Sequence, residues 1–508
     1  MLISPSFEDS DRRGSPLFRL GTYFVVTFCS FLLCTPHSLA AIVFTKTQIA
    51  SGDSQSNSII SGDFNNDGIV DLVTCNNVTI SFYKGLGGDR YAAPVNTPFS
   101  GTGGILQSSA ADFNRDGKLD LAVASFYGGV SILLGKGDGT FTFHTSLSFG
   151  ESVTTEVVLA DFNGDHIPDI VMNDCPTHTP FCTLVVYLGL GNGSFQQSAT
   201  LQYGGNAAFV TGDFNADGHQ DIAALSPEIF GVNGVILYLG KGTGQFQSPI
   251  TFTTPGTSGL VGLAVGDFYN DRIQSLALAT EAYQSSTSSL QVYMQTIRYS
   301  KGTLASTKPQ LVFTKRSTNI SASLASGDLN GDFKDDLVIM GSYGSNPSKP
   351  IAAYVLGTGV GTFQAAVSLP TAGLMENTPF VRDLNLDSRH DIGAAWSNQT
   401  AGGAVELTNT NAAVLCAPPA ANKLAVHICA PSNGQKVSRT FTFRAAGNAF
   451  NGIAKRIELW IDGKKVGQNL EDQLKVTATL SPGTHTASFV VVDSFDKHTS
   501  KSVTFSAN

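Results

Sequence analysis

One nine-residue pattern, D-x-N-x-D-x-x-x-D, constrains this chain more than any other feature. It stands at Asp63–Asp71 (DFNNDGIVD), Asp112–Asp120 (DFNRDGKLD) and Asp213–Asp221 (DFNADGHQD), each with glycine in sixth place. Softer copies run Asp161–Asp169 (DFNGDHIPD), Asp328–Asp336 (DLNGDFKDD) and Asp383–Asp391 (DLNLDSRHD), and a degraded one Asp267–Ser275 (DFYNDRIQS). Carboxylates and amide oxygens at alternate positions of a tight turn converge on one point, which is the chemistry of a hard cation.

The first aspartates, at 63, 112, 161, 213, 267, 328 and 383, lie 49 to 61 residues apart. Periods near 50 mark solenoids, propellers or arrays. The unit decides between them. A short apolar run precedes each loop (VVLA before Asp161) and another follows it (LDLAVA from Leu119). Next comes an aromatic-aliphatic run such as VVYL at 185–188, then a glycine turn ending in Phe: GKGDGTF at 135–141, GLGNGSF at 189–195, GKGTGQF at 240–246, GTGVGTF at 357–363. A last short run completes four strands with no helical period. Four-stranded units repeated radially are propeller blades. The seventh unit lacks its glycine turn and fourth strand, while IVFTKTQIA at 42–50 stands before the first loop as a fourth strand would. The expectation is an all-β chain: a seven-bladed β-propeller over residues 41–412, closed by the N-terminal strand so that no sheet edge is left open.

Residues 413–423 (VLCAPPAANKL) read as a linker. Beyond them, strand-like runs alternate with turn signals at Asp462-Gly463 and Pro482-Gly483. Residues 424–508 are therefore expected to form an immunoglobulin-like β-sandwich with Trp460 in its core.

The DxNxDGxxD loop, the D-[LI]-[VA] strand after it and the GxGxGxF turn resemble the FG-GAP or VCBS repeats of integrin α-subunit propellers and many secreted bacterial proteins. The C-terminal part is similar to bacterial immunoglobulin-like modules. The first resemblance implies that the loop joins the first two strands of a blade and binds calcium. It implies these ligand sets, with the seventh residue acting through its carbonyl: Asp63, Asn65, Asp67, Ile69 and Asp71; Asp112, Asn114, Asp116, Lys118 and Asp120; Asp161, Asn163, Asp165, Ile167 and Asp169; Asp213, Asn215, Asp217, His219 and Asp221; Asp328, Asn330, Asp332, Lys334 and Asp336; and Asp383, Asn385, Asp387, Arg389 and Asp391. His166, Phe333 and Ser388 replace the glycine in three loops, which ranks those sites as weaker. In the fifth loop Tyr269 and Ser275 replace two ligands, leaving Asp267 and Asp271 unable to hold an ion. An EF-hand is excluded, since its twelfth-position glutamate is Thr74 in the first loop and Val123 in the second. Several structural calcium ions, rather than a catalytic metal, are expected.

A net charge of −9 argues against nucleic acid as partner. Residues 1–40 read as a signal peptide: Arg12, Arg13 and Arg19 precede the apolar run Leu20 to Cys34, and Ser38-Leu39-Ala40 is a small-x-small cleavage site. The expected location is outside the cell, at its surface or in the periplasm, with no membrane span after cleavage. There both Cys175/Cys182 and Cys416/Cys429 can close as disulfides, leaving Cys75 free and buried. Neither pair has metal-ligand spacing.

In an up-down blade the cation loops and glycine turns share one face. The opposite face carries the 2–3 loops, with Phe126, Tyr127, Phe230, Tyr283, Tyr343 and Trp396. Aromatics on loops of a rigid scaffold suit an extracellular glycan or protein ligand. No HExxH, GxSxG elbow or P-loop is present, and His166, His219 and His390 within the loops read as surface residues. A calcium-stabilised binding or adhesion protein without enzymatic activity is the first reading. A calcium-dependent polysaccharide lyase or glycoside hydrolase of propeller type is the alternative, with Asp174 and Glu228 its only loose candidates.

Overall fold

The computed structural model describes residues 42–508 except 52–54, 102, 149–151, 178–180, 205–207, 227–233, 255–258, 286, 288, 318–319, 345–348, 371–374, 398–400, 411–415, 417–418, 420–422, 450–453, 471 and 494. The expected leader, and with it Phe230 and Glu228, lies outside the described residues. Every regular element among those described is a strand.

Blade 1 shows how the repeat becomes a sheet. Strands Ser56–Gly62, Asp71–Asn76, Thr79–Tyr83 and Val95–Pro98 pair antiparallel in that order. The second strand, DLVTCN, is buried along its whole length, as are DLAVAS in blade 2 and DIAALS in blade 4. Neighbouring blades cover both its faces, so the sequence reads as an unbroken apolar run rather than an alternating one. The outermost strand, Val95–Pro98, is mostly exposed and correspondingly polar.

Seven such sheets follow one another among the described residues, and their innermost strands touch in sequence around a ring back to blade 1. The last sheet is made from both ends of the ring: Phe44–Ala50 pairs with Gly402–Asn409, from Phe44 opposite Asn409 to Ala50 opposite Gly403. The fifth sheet explains the longest repeat interval. Its strand Ser289–Ser300 is long enough to pair with both Thr303–Ser306 and Gln310–Lys315.

The innermost strands do not pair with one another, so side chains bridge them. Gln107 accepts the Val157 amide at 2.8 Å, and Glu156 the Phe209 amide at 3.3 Å. Arg382 donates to the Ser61 carbonyl at 3.3 Å. They surround a central cavity of ≈ 700 Å³.

The C-terminal strands form a second, smaller unit of two sheets: Ala425–Ala430, Thr440–Asn448 and Gln473–Thr479 against a five-stranded sheet that includes Ala454–Ile461 and Gly483–Asp493. Its core is built on Phe443, Phe489, Phe505, Leu459 and Leu474. Trp460 corrects an expectation: alternation puts Leu459 and Ile461 inward and Trp460 on the outer side, half-buried, where its indole N–H donates to Glu458 at 3.0 Å.

This sandwich is not held at a distance, as a spacer would be. It lies on the cation-loop face of the propeller. Phe495, from the loop before its last strand, is buried in the cluster containing Ala111, Phe113 and Val157, and it also lines a smaller pocket with Ile60, Ala110, Leu159 and Arg382. The Phe495 carbonyl meets His166 Nδ1 at 2.8 Å, Lys475 sits 4.9 Å over the Phe333 ring, and Asp472 bonds His390 at 3.2 Å. Thus His390 is a buried interdomain residue, not a surface one.

Candidate cation loops and the open face

Each loop is folded by its own aspartates. Asp63 accepts the amides of Asp67 and Gly68 at 3.0 and 2.7 Å, Asn65 Oδ1 accepts Asp67 N at 3.0 Å, and Asp67 Oδ1 accepts Ile69 N at 3.0 Å. The second, fourth, sixth and seventh loops repeat this set. In the third, Asp161 takes the amides of Gly164 and His166 instead. The oxygens of positions 1, 3 and 5 all accept from amides of their own loop, and a carboxylate or amide oxygen with one such bond keeps a second lone pair.

The ninth position does something different. Asp71 is fully buried and accepts Phe64 N through one oxygen and Gly85 N, the first glycine of the blade's own 3–4 turn, through the other. Asp120 does the same with Phe113 and Gly135, Asp169 with Phe162 and Gly189, Asp221 with Phe214 and Gly240, and Asp336 with Leu329 and Gly357. In blade 7, which has no such turn, Asp391 bonds Leu384 and Asn409. In the fifth loop Ser275 Oγ instead donates to the Gly266 carbonyl.

The glycine turn also reaches the next-door loop. Gly139 N donates to Phe64 O at 3.2 Å, and the Phe64 and Phe141 rings meet edge to face at 5.9 Å. The same pair of contacts joins Phe113 to Gly193 and Phe195, Phe162 to Gly244 and Phe246, and Phe268 to Gly361 and Phe363. A Cβ on Gly139 would fall 2.2 Å from the Phe82 ring. The motif residues are therefore clamps within and between blades.

Backbone geometry revises the ranking of the loops. Two positions in each loop are left-handed, the fourth as well as the sixth. Loops 3 and 6 carry their glycine at the fourth (Gly164, Gly331), so only His166 (φ 62°) and Phe333 (φ 64°) are forced. Loops 1, 2 and 4 are forced equally, at Asn66, Arg115 and Ala216. Loop 7 has two forced residues, Leu386 and Ser388, as does loop 5, Asn270 and Arg272. On this ground loop 7 is the strained one of the six, and loops 3 and 6 are not.

Burial of clustered carboxylates raises their proton affinity. Desolvation first, with the neighbouring aspartates adding to it, pushes Asp71, Asp120, Asp169 and Asp221 up to about 7 and Asp391 to about 8, against backbone hydrogen bonds that lower them. Asp336 is also raised, by the same burial. Hard oxygen donors with raised proton affinity are the chemistry a cation takes. Among the described residues, the group of three His, Cys, Asp or Glu residues whose ligand atoms close within 4.8 Å is Cys416, His427 and Cys429. The loop carboxylates stand wider than that. The second oxygen of position 5 meets a local donor in most loops, as in Lys84 on Asp67 at 3.1 Å and Arg389 on Asp387 at 2.8 Å. Arg298 bonds Asp271 of loop 5. Cys416–Cys429 and Cys175–Cys182 are disulfide-bonded, and Cys75 is a buried free thiol.

On the opposite face, Phe126 and Tyr127 form an exposed edge-to-face pair, 37% and 53% accessible with centroids 4.7 Å apart. The neighbouring Val78 of blade 1 is also exposed, and Ile105 N to Asn77 O and Phe126 N to Gly104 O tie the two loops together. Tyr283 is exposed at the end of strand Ser275–Gln284. Tyr343 is half-buried under Lys315, 5.3 Å from the ring. Trp396 corrects an expectation: it lies within strand Asp391–Ser397, 3% exposed, with its indole N–H on the Ile49 carbonyl at 3.2 Å. It seals the closing strand and does not face solvent. Asp174 is half-buried beside the Cys175–Cys182 bridge.

A ring of sheets clamped by a shared loop and glycine turn defines a repeat β-propeller. Within that class, residues 63–123, 112–172 and 213–277 match the FG-GAP-like repeat, and residues 425–488 match the bacterial Ig domain. The chain is an FG-GAP-type repeat protein with a C-terminal Ig-like domain. No curated protein matches it. Similar solved structures include a lectin of Agrocybe aegerita described as recognising non-reducing terminal N-acetylglucosamine (16% identity, 70% of this chain and 94% of that one, TM-score 0.44). The V. cholerae biofilm matrix protein Bap1 is another (11%, 75% and 93%, 0.40), and so is the Dos1 propeller (12%, 70% and 77%, 0.38). Scores this low assign no ligand. Among the described residues no helix is long and apolar enough to cross a membrane.

Proposed function

We propose that this chain is an exported binding or adhesion protein, stabilised by calcium in its blade loops, that takes a glycan or protein ligand on the face away from the Ig-like domain. The observation that carries the reading is the position of that domain. It covers the cation-loop face, where His166, Phe333 and His390 meet Phe495, Lys475 and Asp472. On the opposite loops, among the described residues, Phe126 and Tyr127 form an exposed aromatic pair and Val78 of the adjoining blade is exposed as well. Exposed aromatic rings stack on the C–H faces of sugars and anchor protein interfaces at low entropic cost. The loop oxygens of Asp63, Asn65, Asp67 and their counterparts would hold the ions, which neutralise buried carboxylates and do no chemistry on a ligand.

Glycan-array binding of the wild-type chain and of Tyr127→Ala tests this. Binding that weakens at least tenfold in the variant, with an unchanged melting temperature, is the expected result. Equal binding by both places the ligand elsewhere, and unsaturated product from acidic polysaccharides would make the chain a lyase.

A further inference from the structure

We propose that the central cavity of the ring binds a small organic ammonium that also carries hydrogen-bond-accepting oxygens, the chemistry shared by amino sugars and amino acids, with Glu156 as its charge partner. The cavity, ≈ 700 Å³, has the size of a small-molecule site, and the ring lines it unevenly. The fifth residue before a loop's first aspartate points to the next blade. There Ser58 accepts the Ser108 amide at 3.1 Å, Gln107 the Val157 amide at 2.8 Å and Glu156 the Phe209 amide at 3.3 Å. In blades 4 and 5 the position falls to Ala208 and Gly262, whose side chains have nothing to accept with. A Cβ on Gly262 would meet Leu324 Cγ at 3.1 Å, so the direction is kept and only the polar group is missing. Val157 stands opposite Met172, and Leu263 and Leu324 stand in the same register opposite Leu278 and Ile339. Both leucines line the cavity. That register turns their amides to it as it turns Val157's, and no side chain among the described residues accepts them.

The wall of blades 2 and 3 supplies the charge. Glu156 Oε2 takes the Phe209 amide, its other oxygen meets no donor among the described residues, and among them no Lys, Arg or His lines the cavity. Burial pushes this carboxyl up to about 8, with only the Phe209 amide opposing the rise. A carboxylate in such a place is costly until a cation joins it, and an uncapped amide until an acceptor does. One ligand meets both needs, with its ammonium on Glu156 and its oxygens on the Leu263 and Leu324 amides. Ser321 and Ser323 add hydroxyls on the Leu324 side. Towards the cation loops the cavity adjoins a smaller one of ≈ 180 Å³, which shares Val265 and Ser326 with it and is lined by Ala454, Leu470 and Asp472 of the sandwich. The sandwich covers that end, which leaves the opposite end for entry. Glu156, Leu263 and Leu324 belong neither to a cation loop nor to a 2–3 loop, so the site stands or falls apart from the open-face reading.

Calorimetric titration of the full chain at neutral pH tests it, with glucosamine and γ-aminobutyrate as probes and N-acetylglucosamine and butyrate as their counterparts without the ammonium. At least one probe should bind, one equivalent per chain and at least tenfold tighter than its counterpart, and which one binds tells the sugar from the amino acid. Glu156→Gln keeps an acceptor for the Phe209 amide and should weaken that binding at least tenfold. Ala208→Gln gives the Leu263 amide the cap that Gln107 gives Val157, fills the space, and should abolish binding while melting no lower than wild type. Tyr127→Ala should leave it unchanged. Binding of neither probe, equal binding of the counterparts, or binding untouched by Glu156→Gln overturns the site and leaves the open-face reading as it was. Binding that falls in Tyr127→Ala instead also overturns it and places the ammonium on the open face.

Discussion

The carboxylate of Asp120 accepts the Gly135 amide at 2.8 Å while its other oxygen accepts Phe113 N at 2.9 Å. One buried side chain thus ties the start of a loop to the turn at the far end of the same blade. The aspartate would be needed here with or without an ion.

That separates two substitutions that look alike in the sequence. Asp120→Ala strands two buried amides and should cost about 2–5 kcal/mol even in chelator. Asp116→Asn, at an exposed position, should change the chelator melt by less than about 0.5 kcal/mol and reduce only the calcium-dependent gain. Urea melts with and without chelator measure both.

The pH dependence should reverse with calcium. Asp71, Asp120, Asp169 and Asp221 are raised to about 7 in the fold, above the usual carboxylate range near 4. Between these values the folded chain binds more protons than the unfolded one, so stability in chelator falls as pH rises from about 4 through 7. Calcium competes with those protons, so the melting-temperature gain on adding it should be larger at pH 8 than at pH 5. A gain that shrinks with rising pH would contradict the loop assignment.

Loop 7 should gain from glycine where loop 3 gains little more than the others. Ser388 holds φ 72° beside a second forced residue, Leu386 at 61°. Ser388→Gly should stabilise by about 1 kcal/mol, the cost of a left-handed L-residue, read from thermal melts. No change would mean that the loop relaxes elsewhere.

The sandwich should be energetically joined to the ring. Phe495 is buried among Ala111, Phe113 and Val157, and Phe495→Ala should cost about 3–5 kcal/mol if the two parts unfold together. Two separate calorimetric transitions, unmoved relative to each other by the substitution, would show independent units.

Much of the ring was legible because its signals are local. A loop, a glycine turn and the apolar runs between them recur in one order, and each closes through contacts a few residues away. The seventh unit's missing strand could be matched to residues 42–50 by pattern alone, and Phe44–Ala50 does complete that sheet. Trp460 was misread because a strand's alternation, not its composition, decides which side a ring faces, and Trp396 because its strand runs on through it and is buried on both faces, where a loop was expected. The glycine ranking was misread because only position 6 was weighed, whereas φ is positive at position 4 as well.

By itself the sequence determined the repeat, the all-β class and the oxygen-rich loops, since these depend on which residues can turn, pair and bury within one blade. Only the tertiary structure decided what each aspartate touches, which blade Phe64 clamps, where Trp396 is buried, and which face Phe495 closes. Those partners come from neighbouring blades or from another domain hundreds of residues away. Their contacts are set by the closing of the ring and the docking of the sandwich, which no single repeat encodes.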